Sequence, residues 1–346
     1  MLSLNFERFP NSTVSEIQFP PDKIDRRRTF GDSVAGRTIT ADVYRRAGGD
    51  SRGVIIVLHG MTVTGNRDPR VINLCRALAE AGFTNVAPLV PEIQDQQLRP
   101  ETYEAVSECI QRITDNPDLC PQKKAALLGP SFSGSAGLIA AARPENINRI
   151  SSICTIGSYA GINSTFDFFF RSNEVDEYGK TIVLWNYLEY AVGKNKAVQE
   201  ALKLATLDNG YRRGPDTAEL PAYLEKMKPK DRELFERLRN DGDYRLELWQ
   251  TKISTHPSLQ ESKAMMECAA NLVPGMAPVT LIHGRADDVI PASESELLFA
   301  RLNDLGVPAR LCITDLISHG DHGLTLGMIP QAVGLAGAFA YFFRHI

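Results

Sequence analysis

The sequence predicts an α/β protein: a mostly parallel, doubly wound sheet with a helical cap inserted into it. Three observations predict it. Short, unbroken apolar runs such as Val54 to Leu58 (VIIVL) close on glycine-bearing turns, as strands covered on both faces do. Amphipathic helical spacings separate these runs with short connections, and repeated strand-helix-strand units demand parallel pairing through right-handed crossovers. From about Ala160 to Asn271 the strand-like runs vanish and helical spacings take over.

In chain order, Thr38 to Tyr44 (TITADVY) mixes β-branched and polar residues near a period of two, with Gly48-Gly49 beyond its end, the pattern of an edge or hairpin strand. Val54 to Leu58 follows as a buried strand. Asp68 to Gly82 opens with Asp then Pro, spaces Val71, Leu74 and Leu78 at helical intervals and stops at glycine, so it predicts a helix. Asn85 to Val90 reads as a strand, Glu101 to Thr114 as an amphipathic helix, and Lys123 to Leu128 as a buried strand ending at Gly129-Pro130. Ser133 to Ala142 is a helix of small residues and Arg149 to Ile156 a strand. After the cap the rhythm resumes: strand Val279 to Ile282, helix Ser293 to Leu305, strand Ala309 to Ile313, and a closing helix near Pro330 to Phe343. This assigns residues 1–159 and 271–346 to the sheet-bearing core and 160–270 to the cap.

The cap holds 13 of the 27 aromatic residues, including both tryptophans and the cluster Phe166, Phe168, Phe169 and Phe170. Such a concentration serves either the cap's own core or the lining of a pocket, and the second use points to an apolar substrate. Leu324 to Phe343 has the length of a minimal membrane span but contains Pro330 and Gln331, so it predicts a helix buried against the sheet and no membrane association.

The 346 residues are 43% hydrophobic, enough for a large buried core. Charged residues make up 23% with a net charge of −4, so the basic footprint of a nucleic-acid binder is missing and a small-molecule substrate is the expected partner. The opening MLSLNFERFPNS has no basic start followed by an apolar stretch, which makes the cytoplasm the expected location. Six cysteines (Cys75, Cys109, Cys120, Cys154, Cys268, Cys312) show no paired metal spacing and read as reduced structural thiols. With no GxGxxG after the first strand and no HExxH, neither an organic cofactor nor a metal is expected.

The stretch that carries chemistry is Lys123 to Ser135 (KKAALLGPSFSGS), where a buried strand ends directly in Gly-Pro-Ser-Phe-Ser-Gly before a helix of small residues. A residue on so tight a turn takes an unfavourable backbone conformation, and the positions two before and two after it must be small; Gly129 and Ser133 qualify around Ser131. Ser131 is therefore the candidate nucleophile. Ser133, flanked by Ser131 and Ser135, is the alternative, although Gly129-Pro130 ends the strand too early for that register. A serine hydroxyl needs a base to take its proton and a third group to orient that base.

The Gly-Pro-Ser-Phe-Ser-Gly turn resembles the nucleophile elbow of the α/β-hydrolase superfamily, with Ser133 in place of the usual final glycine and Gly134 next to it. The resemblance implies an esterase- or lipase-like serine hydrolase. It also implies where the partners lie. In VTLIHGRADDVIP, from Val279 to Pro291, Asp287 has the spacing to Ile290-Pro291 that the superfamily shows around its triad acid, with Asp288 as competitor and helix capping as the structural use of either. The loop after the last strand, TDLISHGDHGLT, offers His319 as the base and His322 as the alternative base. The order serine, aspartate, histidine is the superfamily's own. Two backbone amides are needed for the oxyanion: Phe132 follows the nucleophile, and the loop His59-Gly60-Met61-Thr62 resembles the superfamily's His-Gly oxyanion loop, which assigns the second amide to Met61, or failing that Thr62. His59 and His283 read as structural or pocket-shaping. The same fold also hosts acyl transfer, carbon-carbon bond hydrolysis and non-catalytic ligand binding, which stand as alternatives to ester hydrolysis.

Overall fold

The apolar runs become the inner strands of one sheet. The structure is a computed structural model that describes residues 9–20, 38–48, 50–171, 177–208, 217–317 and 329–346. Its strands are β1 (Ser12–Phe19), β2 (Ile39–Arg46), β3 (Val54–Val57), β4 (Thr84–Pro88), β5 (Ala125–Pro130), β6 (Ile150–Ile156), β7 (Val279–Gly284) and β8 (Ala309–Thr314), in the spatial order β1-β2-β4-β3-β5-β6-β7-β8. From β4 across to β8 every pairing is parallel, while β1 on β2 and β2 on β4 are antiparallel. The predicted doubly wound, mostly parallel sheet is the one found.

β1 is the strand that periodicity does not announce. Its sequence STVSEIQF has four consecutive exposed positions and one buried residue, Phe19, so no apolar face marks it. By covering β2 it makes the predicted edge strand an interior one, which explains why Ile39, Ala41 and Val43 are buried.

Helices α1 (Pro69–Glu80), α2 (Pro91–Gln94), α3 (Pro100–Asp115) and α4 (Ser131–Ala141) alternate with the first strands. The Asp68 side chain caps α1, accepting from the Arg70 amide at 2.9 Å, and Pro69 occupies its first turn. Between β6 and β7 come α5 (Ile162–Arg171), α6 (Glu177–Tyr187), α7 (Glu189–Val192), α8 (Lys196–Asp208), α9 (Leu220–Lys226), α10 (Pro229–Asn240), α11 (Gly242–Leu248), α12 (Gln260–Met266) and α13 (Cys268–Asn271), with no strand among the described residues of that stretch. Then α14 (Ala292–Asp304) and α15 (Ile329–Arg344) complete the chain.

Successive strand residues point to opposite faces, so the sheet divides the interior in two. Ile55, Val57 and Leu128 pack with Val71 and Leu78 of α1 and Phe342 of α15. On the other face, Ile56, Leu127 and Leu281 pack with α3, α4 and α14, and this core runs without a break into Phe170, Phe235 and Trp249 of the helical insertion. The insertion is thus seated on one face of the sheet through shared apolar contacts. Part of the Leu324 to Phe343 stretch lies outside the described residues; the described part, in α15, buries Ala338 and Phe342. Among the described residues no helix is long and apolar enough to cross a membrane. All six cysteines are free thiols, and burial pushes those of Cys75, Cys154 and Cys268 well up.

Candidate active site

β5 passes into α4 without a connecting residue, and Ser131 stands at the junction with φ of 52°. That left-handed conformation is costly for a residue with a Cβ and is held only where surrounding packing forces it. The packing is identifiable. A Cβ on Gly129 would lie 3.0 Å from the backbone of Gly134, and one on Gly134 would lie 2.6 Å from the Gly129 carbonyl oxygen and 2.1 Å from Ser158 Oγ. The turn therefore closes by glycine meeting glycine, and Gly134 does the steric work that the sequence pattern assigns to position 133. Ser133 is fully buried, and its hydroxyl donates to the His59 carbonyl at 2.5 Å. The helix starts at Ser131, two residues earlier than its small-residue run suggests.

His59, Gly60, Met61 and Thr62 lead out of β3 beside this turn. His59 is buried; its Nδ1 lies 2.8 Å from the Gly60 carbonyl oxygen and its Nε2 accepts from the Val90 amide at 3.1 Å. A carbonyl can only accept, so Nδ1 carries the proton and the ring is the neutral tautomer. Burial holds the His59 pKa below its ordinary value, against the opposing pull of the Gly60 hydrogen bond and of Asp68. The Thr62 amide also donates to the Gly60 carbonyl, at 2.8 Å, which closes a three-residue turn centred on Met61. The Met61 carbonyl in turn accepts from the hydroxyl of Tyr178 on α6. Phe132 lies in the first turn of α4, where amides have no carbonyl of their own helix to bond. Its ring packs between Tyr103 and Tyr159, with centroids 6.0 Å from each.

The loop after β7 is organised around Asp287. Its Oδ1 accepts from the amides of Val289 and Ile290 at 2.9 Å each. The buried His283 fastens the far end of this loop: Nε2 donates to the Ile290 carbonyl at 2.8 Å while Nδ1 accepts from the Ser295 hydroxyl at 2.6 Å. Asp287 Oδ2 is 3.7 Å from His283 Nε2, and a Cβ on Gly157, at the end of β6, would sit 3.2 Å from it. Asp288 is exposed. Beyond β8, the chain crosses so close that a Cβ on Gly284 would lie 2.2 Å from the Ile317 carbonyl oxygen.

Ser131, Phe132, Met61, Asp287 and Ile317 all line one cavity of about 630 Å³. It opens at the carboxyl ends of β3 and β5, where the strand order reverses direction and the chain leaves a crevice. The insertion supplies the opposite wall through Ile162, Phe166, Phe169, Tyr178, Ile182 and Val183. Asp68 and Arg70, paired through two contacts of 2.9 Å, contribute charge to the lining. Of the clustered phenylalanines, Phe168 and Phe170 are outside the wall, and Phe170 packs on Trp249 at 6.0 Å. Both uses expected of the cluster therefore occur, and Phe166, which lines the cavity and also packs on Trp249 at 5.0 Å, serves both. His319 and His322 lie outside the described residues.

No protein-family model matches the chain, and no curated protein matches its sequence. Solved structures are similar to it throughout its length. A thermostable esterase from Pseudomonas putida ECU1011 aligns with a TM-score of 0.53 at 15% identity, covering 100% of this chain and 85% of that one. An esterase from Pyrobaculum calidifontis aligns at 0.52 and 17%, covering 99% and 90%. Brefeldin A esterase, a bacterial homologue of human hormone-sensitive lipase, aligns at 0.50 and 14%, covering 96% and 75%. The chain has the α/β-hydrolase fold.

Within the α/β-hydrolase fold, the sequence-predicted Ser131, Asp287, Met61 and Phe132 come together on one cavity wall. Four further residues contribute: Gly134, Phe166, Phe169 and Tyr178. Gly134 is one place beyond the expected small residue. Phe166 and Phe169 share a helix face because they are three apart, a spacing that was visible in the sequence. Tyr178 carries no sequence signal, because its role depends on where α6 docks.

Proposed function

We propose that this protein is a serine hydrolase that cleaves the carboxylic ester bond of a small, apolar substrate through an acyl-enzyme intermediate. The observation that carries the proposal is the left-handed Ser131 at the end of β5, set in a cavity whose wall also holds Asp287. In this reading Ser131 Oγ attacks the ester carbonyl carbon as an imidazole takes its proton. The base is His319, with His322 as the alternative; Ile317, two residues before His319, lines the same cavity. Asp287 has Oδ1 engaged by two amides, so Oδ2 is the oxygen that accepts from the imidazole and fixes its tautomer. The carbonyl oxygen, now negative, is received by the amides of Phe132 and Met61. Thr62 is the weaker candidate because its amide already donates to Gly60. Collapse of the tetrahedral intermediate breaks the carbon-oxygen bond, and the alcohol leaves with the proton returned by the imidazole. Water repeats the sequence on the acyl-serine, regenerating Ser131 and releasing the acid. Residues 160–270 act as the cap that shapes the acyl pocket, and its aromatic and aliphatic wall favours an apolar acyl group.

The test is Ser131→Ala against short-chain aryl esters. Activity should fall by about 10³-fold or more with the thermal midpoint retained. A fluorophosphonate should label the parent at Ser131 and leave the variant unlabelled. Parent-like hydrolysis by the variant would end the proposal.

A further inference from the structure

The helical insertion does more than wall the cavity, because one of its side chains is bonded to the backbone beside the reacting centre. Tyr178 projects from the first turn of α6 and donates its hydroxyl to the Met61 carbonyl. The helix that carries it is firmly placed. Glu177 pairs with Arg239 of α10, and α6 approaches α5 so closely at Gly179 that a Cβ there would lie 2.9 Å from the Phe169 ring.

Two carbonyls flank the geometry of the Met61 amide, and both are held. The Gly60 carbonyl receives His59 Nδ1–H and the Thr62 amide, each at 2.8 Å. In a planar trans peptide the Met61 N–H points opposite to that carbonyl. The turn at Met61 still has its own φ and ψ, and the second carbonyl fixes them only if something grips it. Tyr178 is that grip, and it comes from the insertion, whereas His59 and Thr62 lie in the loop that leaves β3.

We infer that Tyr178 is a positioning residue for the oxyanion loop: its hydrogen bond to the Met61 carbonyl holds the turn that aims the Met61 amide, so that the transition state is stabilised only when the cap is seated. This rests on the reading of Met61 as an oxyanion donor in an ester hydrolase. The Tyr178 ring lines the cavity, while its hydroxyl is bonded to the loop. Loss of the hydroxyl alone should therefore appear in kcat, by a similar factor for every acyl chain, whereas truncation of a wall side chain should appear in KM and depend on chain length.

The experiment is Tyr178→Phe, which removes one oxygen and keeps the ring, measured beside Val183→Ala, a cavity-wall change on the same helix without a bond to the loop. Three readouts are taken: kcat and KM on aryl esters of several acyl lengths, the rate of fluorophosphonate labelling, and deuterium uptake by peptides covering residues 59–64. Tyr178→Phe should lower kcat and the labelling rate by about tenfold, since removing an oxyanion donor outright costs 10²- to 10³-fold, and should raise uptake over 59–64. Val183→Ala should alter KM in a chain-dependent way with uptake over 59–64 unchanged. If Tyr178→Phe retains the parent kcat in a protein that Ser131→Ala inactivates, the positioning role is overturned and the hydrolase reading stands. If the parent neither hydrolyses esters nor reacts with the probe, the hydrolase reading fails and this inference fails with it. Should Tyr178→Phe not fold, Glu177→Gln, which loosens the anchor of α6 on Arg239, is read in the same three ways, with the same directions expected.

Discussion

The strand rim and the helical insertion meet at the same cavity but are built on different principles. At the rim, backbone geometry fixes each functional group: Ser131 by a left-handed turn closed by Gly129 and Gly134, Asp287 by two amides of its own loop. In the insertion, position comes from side-chain packing, with Phe166 5.0 Å from Trp249 and Phe169 against Gly179. Stereochemistry at a turn tolerates few alternatives, while a packed helix face can be refilled in many ways. The rim thus suits chemistry, and the insertion suits substrate choice.

The sharpest way to break that contrast is at the two adjacent aspartates. Asp287→Asn keeps the shape of the loop but removes the charge that the proposed mechanism uses to orient its imidazole, and on that mechanism kcat should fall by roughly 10³- to 10⁴-fold. Asp288→Asn, at an exposed site, should stay within about twofold of the parent. Equal effects of the two substitutions in steady-state kinetics would show that the loop geometry does not select the acid.

Inside the insertion the contrast predicts a division between neighbours. Phe170 is fully buried beneath α5 and away from the cavity, so Phe170→Ala should cost about 3–5 kcal/mol in urea unfolding with acyl-chain preference unchanged. Phe169 lines the cavity, so Phe169→Ala should shift the kcat/KM ratio between long and short acyl esters by about tenfold. If the two variants change preference alike, the wall assigned to α5 is wrong.

This division also explains what could be read in advance. The elbow was legible at Ser131 because a strand running straight into a helix needs glycine-like space, and the residues that provide it are adjacent in sequence. Asp287 is singled out in the sequence by resemblance alone, through its spacing to Ile290-Pro291, and it lies on the cavity wall three residues past the last residue of β7. β1 was not legible, because an edge strand with Thr13 to Glu16 exposed has no continuous apolar face to reveal it. Nor was the choice among four clustered phenylalanines, which depends on how α5 rotates against Trp249 and Gly179, residues that lie downstream on other helices. Tyr178 is the extreme case, since its partner Met61 is 117 positions away.

The smallest expected effect separates the rim's own support from the chemistry it serves. His59 is neutral because burial lowers its pKa from the usual 6.5, and its two ring nitrogens hold Gly60 and Val90. In the unfolded chain the same imidazole protonates near 6.5, while in the folded protein it protonates only at lower pH. Between those values the unfolded chain binds more protons, so stability rises with pH, is complete above 6.5 and is lost as pH falls below it. The slope from one such group cannot exceed about 1.4 kcal/mol per pH unit. His59→Gln keeps an acceptor for the Val90 amide but gives up the bond to Gly60 and the titration. It should cost about 1 kcal/mol at pH 7.5, and the gap from the parent should narrow as the pH is lowered from 6.5 to 5 in urea titrations. A gap that is constant over that interval would mean that His59 is protonated in the fold, and that the Gly60 carbonyl is held by something other than a neutral ring.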